Sequence, residues 1–250
     1  MLIPTEGDAQ SLAAAQLRVE LTRRQQHTMM VAHEMRNLLA PLTYQVELLT
    51  HTDNAASVVA RPVIARQVAQ MRRLVDDLVD ITCADQGRMS LRTTSVDLRD
   101  IIAAAIDVAR PSIAAREQHL MLADHAAGSA IVDGDPCRLT QVLSNVLINA
   151  AKFTPKSGHI DVILERETSC VKVCVRDTGA GIAPDLLPKI FDVYVHTPRE
   201  PDGPRDSLGL GLGLAVAKNL VESHGGTLIA RSDGPGQGSE FVMRLPIAAS

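Results

Sequence analysis

Asn145-Val146-Leu147-Ile148-Asn149-Ala150-Ala151-Lys152-Phe153 is the stretch on which the reading of this 250-residue chain turns. The spacing of its two asparagines, four residues apart, puts both amides on one face of a helix, with Lys152 one turn beyond Asn149. The residues between them are apolar and fit a core-facing stripe. The pattern extends back to Cys137, so a helix is expected over 137–152. Paired amides and a lysine that face a cavity suit Mg²⁺ held through carbonyl oxygen and water, with phosphate charge neutralised alongside. Polar residues turned outward on a final helical turn are the plain alternative.

Around this helix the chain mixes strand and helix. Extended segments are expected at 91–95, 120–123 and 130–133, and a helix at 98–115. Two alternating runs, 160–165 and 171–176, suit a half-buried hairpin. A polar loop punctuated by Pro198, Pro201, Gly203 and Pro204 precedes a helix at 212–224 that stops at Gly225-Gly226. Strands at 227–231 and 240–245 close the chain. Together these imply an α/β two-layer sandwich, with helices on one face of a mixed sheet.

The first third has a different texture. Ala32, Met35, Leu39, Leu42, Val46 and Leu49 follow at alternating gaps of three and four, a heptad seam. A polar turn over 51–57 separates it from a second helix over 58–86. The stripe of that helix is Ile64, Gln67, Met71, Leu74, Leu78 and Ile81, with Pro62 in its first turn and Gly87 as its stop. Two antiparallel helices cannot bury both seams alone, whereas two copies can, as a four-helix bundle. An α-helical hairpin that forms a homodimer is therefore expected ahead of the sandwich.

Composition narrows the function. Apolar residues make up 46% of the chain, which is ample for a core, but aromatics are 2% and Trp is absent. Stacked aromatic platforms for single-stranded nucleic acid are thus excluded, and a net charge of −4 argues against any nucleic-acid partner. No apolar run approaches a membrane span, and the first ten residues lack a signal pattern. Cys83, Cys137, Cys170 and Cys174 form no CxxC pair and read as reduced thiols of a cytoplasmic protein.

Three further motifs carry chemistry. His33 lies one position past the seam residue Ala32, on the flank of the expected bundle, and Glu34 follows directly. A carboxylate beside an imidazole can hydrogen-bond the ring and take its proton while the ring attacks phosphorus. Asn37 lies one turn on, on the same face. Asp177-Thr178-Gly179-Ala180-Gly181 ends a strand, where a carboxylate can accept from an exocyclic amine such as that of adenine and glycines admit the base. Gly209-Leu210-Gly211-Leu212-Gly213-Leu214 opens a helix, with bared backbone N–H groups and a favourable dipole for phosphates.

Taken in order, these motifs resemble those of the bacterial sensor histidine kinases, over about residues 15–247. His33 to Pro41 is similar to the H-box, Asn145 to Phe153 to the N-box and Asp177 to Gly181 to the first glycine box. Ile190 to Tyr194 is similar to the F-box, and Gly209 to Leu214 to the second glycine box. The resemblance implies a stub at 1–14, a dimerisation and phosphoacceptor domain at 15–88, and a catalytic domain of the Bergerat ATP-binding type at 89–250. It implies ATP and Mg²⁺ as cofactors. His33 would accept the γ-phosphoryl group and Glu34 would act as general base. Asn37 would position a water that dephosphorylates a regulator. Asn149 would ligate Mg²⁺, and Lys152 would meet phosphate. Asp177 would select adenine, and the remaining box residues, Asn145, Phe153, Gly179, Gly181, Gly209, Gly211, Gly213 and Leu214, would complete the nucleotide site. Asn145 stands where related ATPases carry a water-activating Glu, and an amide cannot act as that base. The partner implied is the receiver domain of a response regulator. Three positions depart from the pattern: Leu38 where proline is frequent, His196 where an arginine reaches the γ-phosphate, and Leu210 where Thr or Ser is frequent. Arg199 or Arg205 would stand in for that arginine. The first two departures also fit a catalytically weak nucleotide-binding scaffold that docks a regulator.

Overall fold

The computed structural model describes residues 35, 39–43, 46, 63–65, 67–68, 71–72, 75–80, 91–195 and 211–248. The chain divides into two compact units, Met1–Val75 and Asp76–Ser250. Described residues of the first unit are helical, as the heptad seams require. Met35, Leu39 and Val46 of the first seam are 42%, 46% and 46% exposed in the single chain. Gln67, the polar member of the second seam, is buried, and its Oε1 has no hydrogen-bond partner among the described residues. The turn over 51–57 and the helix end near Gln86 fall outside the described residues, as do His33, Glu34, Asn37 and Gly209.

Among the described residues from 91 onward, the second unit has seven strands and three helices. In chain order they are β1 (Thr94–Asp97), α1 (Leu98–Ala114), β2 (His119–Asp124), β3 (Ile131–Gly134), α2 (Pro136–Phe153), β4 (His159–Arg166), β5 (Cys170–Asp177), α3 (Gly213–Ser223), β6 (Thr227–Arg231) and β7 (Ser239–Pro246). A 3₁₀ turn, Leu187–Lys189, lies between β5 and α3. Five strands form one sheet in the order β2-β4-β5-β7-β6. Only β2 and β4 run parallel, and the other pairs are antiparallel. The sheet is therefore mixed, as expected. The pair β1 and β3 forms a separate antiparallel ribbon. The expected strand at 91–95 thus starts three residues later, and its last residue, Asp97, caps α1.

Local chemistry explains the helices. Asp97 accepts the N–H of Arg99 at 3.0 Å, and Asp135 accepts those of Cys137 and Arg138 at 3.1 and 3.2 Å. Pro136 occupies the first turn of α2, where its missing donor costs nothing. α2 ends where Thr154 turns extended before Pro155. Its last carbonyls are not left bare. Arg116 donates to Lys152 O at 2.7 Å, and the buried amide of Gln118 donates to Ala151 O and Thr154 O at 2.9 and 2.7 Å. His224, just past α3, accepts the N–H of Asp135 at Nε2, 3.0 Å away. Its Nδ1 therefore carries the proton and donates to Leu220 O at 2.7 Å.

The core lies between the helices and one face of the sheet. Ile160, Val162 and Leu164 of β4 alternate inward, and they join Ile102 and Ala105 of α1 with Val142, Val146 and Leu147 of α2. The outer face carries ion pairs instead. Lys172 meets Glu165 at 2.6 Å, and Arg176 meets Glu240 at 2.6 Å. Arg176 holds the Glu240 carboxyl below the usual range. Beneath this ladder, burial and Glu240 push the Cys174 thiol up to about 12. The described cysteines, Cys137, Cys170 and Cys174, are free thiols. Among the described residues, no helix is long and apolar enough to cross a membrane.

Candidate nucleotide-binding site

Two elements are tied to α2: the start of α3 to its middle, and the loop after β5 to its C-terminus. Asn145 donates its Nδ2 to the carbonyl of Gly213, the first residue of α3, at 3.1 Å. A Cβ on Gly213 would stand 3.5 Å from the Asn145 amide carbon, so glycine lets α3 start against α2. The carbonyl of Phe153 accepts the N–H of Ala180 at 3.1 Å, which ties the end of α2 to the loop after β5. Asn149 is half-buried, with no hydrogen bond drawn by its side chain among the described residues. Lys152 is half-buried too, its Nζ 4.9 Å from the centre of the Phe153 ring.

Asp177 sits at the inner end of β5, 5% exposed. The N–H of Gly179 donates to its Oδ1 at 2.7 Å, and the hydroxyl of Ser239 donates to its Oδ2. Burial pushes the Asp177 carboxyl above its ordinary value, while the donors Ser239 and Gly179 hold it part of the way down. Two bonds leave a carboxylate with acceptor capacity to spare, which is what an exocyclic amine needs. The glycines of this loop are there for close approach. A Cβ on Gly179 would lie 2.7 Å from Phe153 O, and Gly181 takes a φ of +69° with Gly234 O where its Cβ would be.

Start of α3 and the segment after β5 are linked as well. Gly211 takes a φ of +67°, and its carbonyl accepts the N–H of Tyr194 at 3.2 Å. Leu212, between Gly211 and Gly213, is buried, and Leu214, after the last glycine, is half-buried, so these leucines anchor the described end of the glycine run. Phe191 packs edge-on against Phe241, ring centres 6.4 Å apart, and fixes the segment before the polar loop. Residues 196–210, including His196, Arg199 and Arg205 of the polar loop, lie outside the described residues.

Thus two groups line α2: Asn145, midway along it, meets Gly213, which Gly211 precedes, and Phe153, at its C-terminus, meets the loop of Asp177 and Gly179, while Gly181 faces the β6–β7 turn. Sequence reading missed Ser239 and that turn. Gly234, Gly236 and Gly238, each at positive φ, were the available signal. Nothing in the sequence linked them to Asp177.

A buried carboxylate at a strand end, a glycine-opened helix and an amide-bearing helix define a nucleotide-binding α/β sandwich as the class. The comparisons with known proteins make the assignment narrower. Residues 134–249 match the family described as "Histidine kinase-, DNA gyrase B-, and HSP90-like ATPase", and residues 23–87 match "His Kinase A (phospho-acceptor) domain". The sensor histidine kinase ZraS of Klebsiella oxytoca is 34% identical over 221 residues, covering 87% of this chain and 45% of that protein. The sensor protein ChvG of Rhizobium meliloti is 32% identical over 227 residues, covering 86% of this chain and 39% of that protein. Among solved structures, histidine kinase AdeS of Acinetobacter baumannii superposes with a TM-score of 0.65 at 19% identity, covering 87% of this chain and 98% of that one. Histidine kinase ThkA, solved in complex with response regulator protein TrrA, gives a TM-score of 0.63 at 21% identity over 98% of this chain and 68% of that one. The chain belongs to the sensor histidine kinases and carries their phospho-acceptor and ATPase domains in order. It spans about half the length, or less, of the curated relatives it matches.

Proposed function

We propose that this chain is an ATP-dependent protein-histidine kinase that phosphorylates its own His33 and passes the group to an aspartate on the receiver domain of a response regulator. The observation that carries the reading is that α2 holds both motifs: Asn145 holds the start of α3 at Gly213, and Phe153 holds the loop after Asp177 at Ala180. Asp177 accepts from the adenine amine, and Gly179 and Gly181 let the base lie against the backbone. Lys152 and the glycine run, Gly209 to Leu214, draw the phosphates to the start of α3. Phe153 and Asn145 fix the wall between them.

A divalent cation fits this donor set through an amide. Among the described residues no cluster of three His, Cys, Asp or Glu side chains offers an acidic cage. Asn149 supplies a carbonyl oxygen on the helix face that looks toward the phosphates, so it would hold Mg²⁺ together with phosphate oxygens. When bound, the ion neutralises charge on the β- and γ-oxygens.

In the transfer itself, a neutral ring nitrogen of His33 bonds the γ-phosphorus as the bond from that phosphorus to the bridging β–γ oxygen breaks and ADP leaves. Glu34 takes the proton from the other ring nitrogen. Catalysis is then positioning and charge neutralisation. Asn145 spares ATP from hydrolysis because an amide cannot activate water. Asn37 positions the water for the reverse task, dephosphorylation of the regulator. The exposed seam residues Met35, Leu39 and Val46 support a homodimer through the helical hairpin. In this reading the two domains divide near residue 88 and the chain works in the cytoplasm.

The test is incubation with γ-labelled ATP and Mg²⁺, followed by acid and alkali treatment of the parent and of His33→Gln. Label that is acid-labile, alkali-stable and absent from the variant is expected. Acid-stable label, or label persisting in the variant, overturns the reading.

A further inference from the structure

The turn joining β6 to β7, residues 232–238, is built onto the loop that follows Asp177. Gly236 donates its N–H to Ala180 O at 2.6 Å, and Gly238 donates to Gly179 O at 3.1 Å. Gly181 has no room for a Cβ because Gly234 O lies 2.1 Å from where it would be. One side chain joins the two pieces. The hydroxyl of Ser232 accepts the N–H of Ile182 at 2.9 Å and that of Gly234 at 3.3 Å, and donates to Gly238 O at 2.7 Å. A hydroxyl has one proton to give and two lone pairs to fill, so Ser232 is fully used.

Those contacts bracket Asp177 on both sides. Gly179 holds its Oδ1 and Ser239, the residue after Gly238, holds its Oδ2. Ser232 therefore fixes the far end of the loop whose Gly179 orients one oxygen, and the carbonyl next to the residue that orients the other. We propose that Ser232 is a positioning residue for adenine specificity, setting the direction of the Asp177 carboxylate without touching the base. The proposal rests on the reading that Asp177 accepts from the adenine amine.

The test uses the full chain and two ligands, ATP and purine riboside triphosphate, which lacks the 6-amino group. Dissociation constants are measured by titration calorimetry for the parent, Ser232→Ala and Ser232→Thr. Ser232→Ala is expected to weaken ATP about tenfold, the worth of one well-placed hydrogen bond, with the analogue within about twofold. Ser232→Thr, which keeps the hydroxyl, is expected to retain the preference for ATP. Hydrogen exchange at the Ile182 amide, faster in Ser232→Ala but not in Ser232→Thr, gives an independent readout. A Ser232→Ala protein that keeps the full preference, or weakens both ligands equally, overturns the positioning role and leaves the Asp177 reading standing. A parent that binds both ligands alike overturns the Asp177 reading and this proposal with it.

Discussion

Arg138→Met is expected to destabilise the second unit far more than the loss of a surface ion pair would. Arg138, in the first turn of α2, donates from Nη1 to Asp80 Oδ2 at 2.7 Å, and the Asp80 side chain is only 4% exposed. Gln141 donates to the same oxygen at 2.9 Å. Removing the guanidinium leaves a buried carboxylate with an amide for company. Stripping one partner from a buried pair costs about 3–5 kcal/mol. Here Gln141 remains and the Arg138 side chain is 34% exposed, so the lower end applies, about 3 kcal/mol. The assay is urea unfolding of parent, Arg138→Met, Asp80→Leu and the double variant, followed by circular dichroism and fitted for two units. The double variant is expected to recover part of the single-variant losses, because an apolar pair avoids burying charge. A loss below about 1 kcal/mol for Arg138→Met, the range of exposed pairs, refutes the reasoning.

Three other outcomes follow from the same structure. The Asp177 carboxyl is raised by burial, so adenosine affinity is expected to fall on acidification before an ordinary carboxylate would protonate, and Asp177→Asn is expected to flatten that profile in titration calorimetry. The sign for the empty protein is opposite: a carboxyl whose folded pKa is raised costs stability while ionised, and that cost is relieved as pH drops through the folded value. Leu147→Ala, at a residue 1% exposed on the core face of α2, is expected to cost about 2–5 kcal/mol in urea unfolding. Alkylation near neutral pH is expected to modify the exposed Cys137 and spare Cys174, whose thiol is pushed up to about 12, as peptide mass spectrometry would report.

How much of this was legible before the structure depends on the range of the interactions. α1, α2 and α3 could be read to within a residue or two, because their apolar stripes and caps are local signals. The alternation in β4 and β5 likewise marked a hairpin half-buried on one face. Asn145 and Gly213 were legible in separate motifs, but their contact was not, since Asn145 reaches Gly213 across 68 residues. The strands of the β1–β3 ribbon were legible as extended segments, but their pairing apart from the main sheet was not, because it joins residues as far apart in sequence as Thr94 and Gly134. Ser232 escaped for a stronger reason. Its partner Ile182 lies 50 residues away, and a serine in a glycine-rich turn looks like turn chemistry alone.

The central claim is that ATP held by the second unit phosphorylates the imidazole of His33, and the most direct measurement is the location of the phosphoryl group. Protein incubated with ATP and Mg²⁺ is digested at neutral to alkaline pH and sequenced by electron-transfer mass spectrometry, beside Asn149→Ala. A single phosphoryl group on His33, absent from Asn149→Ala, is the predicted result. A phosphoryl group on any other residue, or one on His33 that survives in Asn149→Ala at the parent level, contradicts the account.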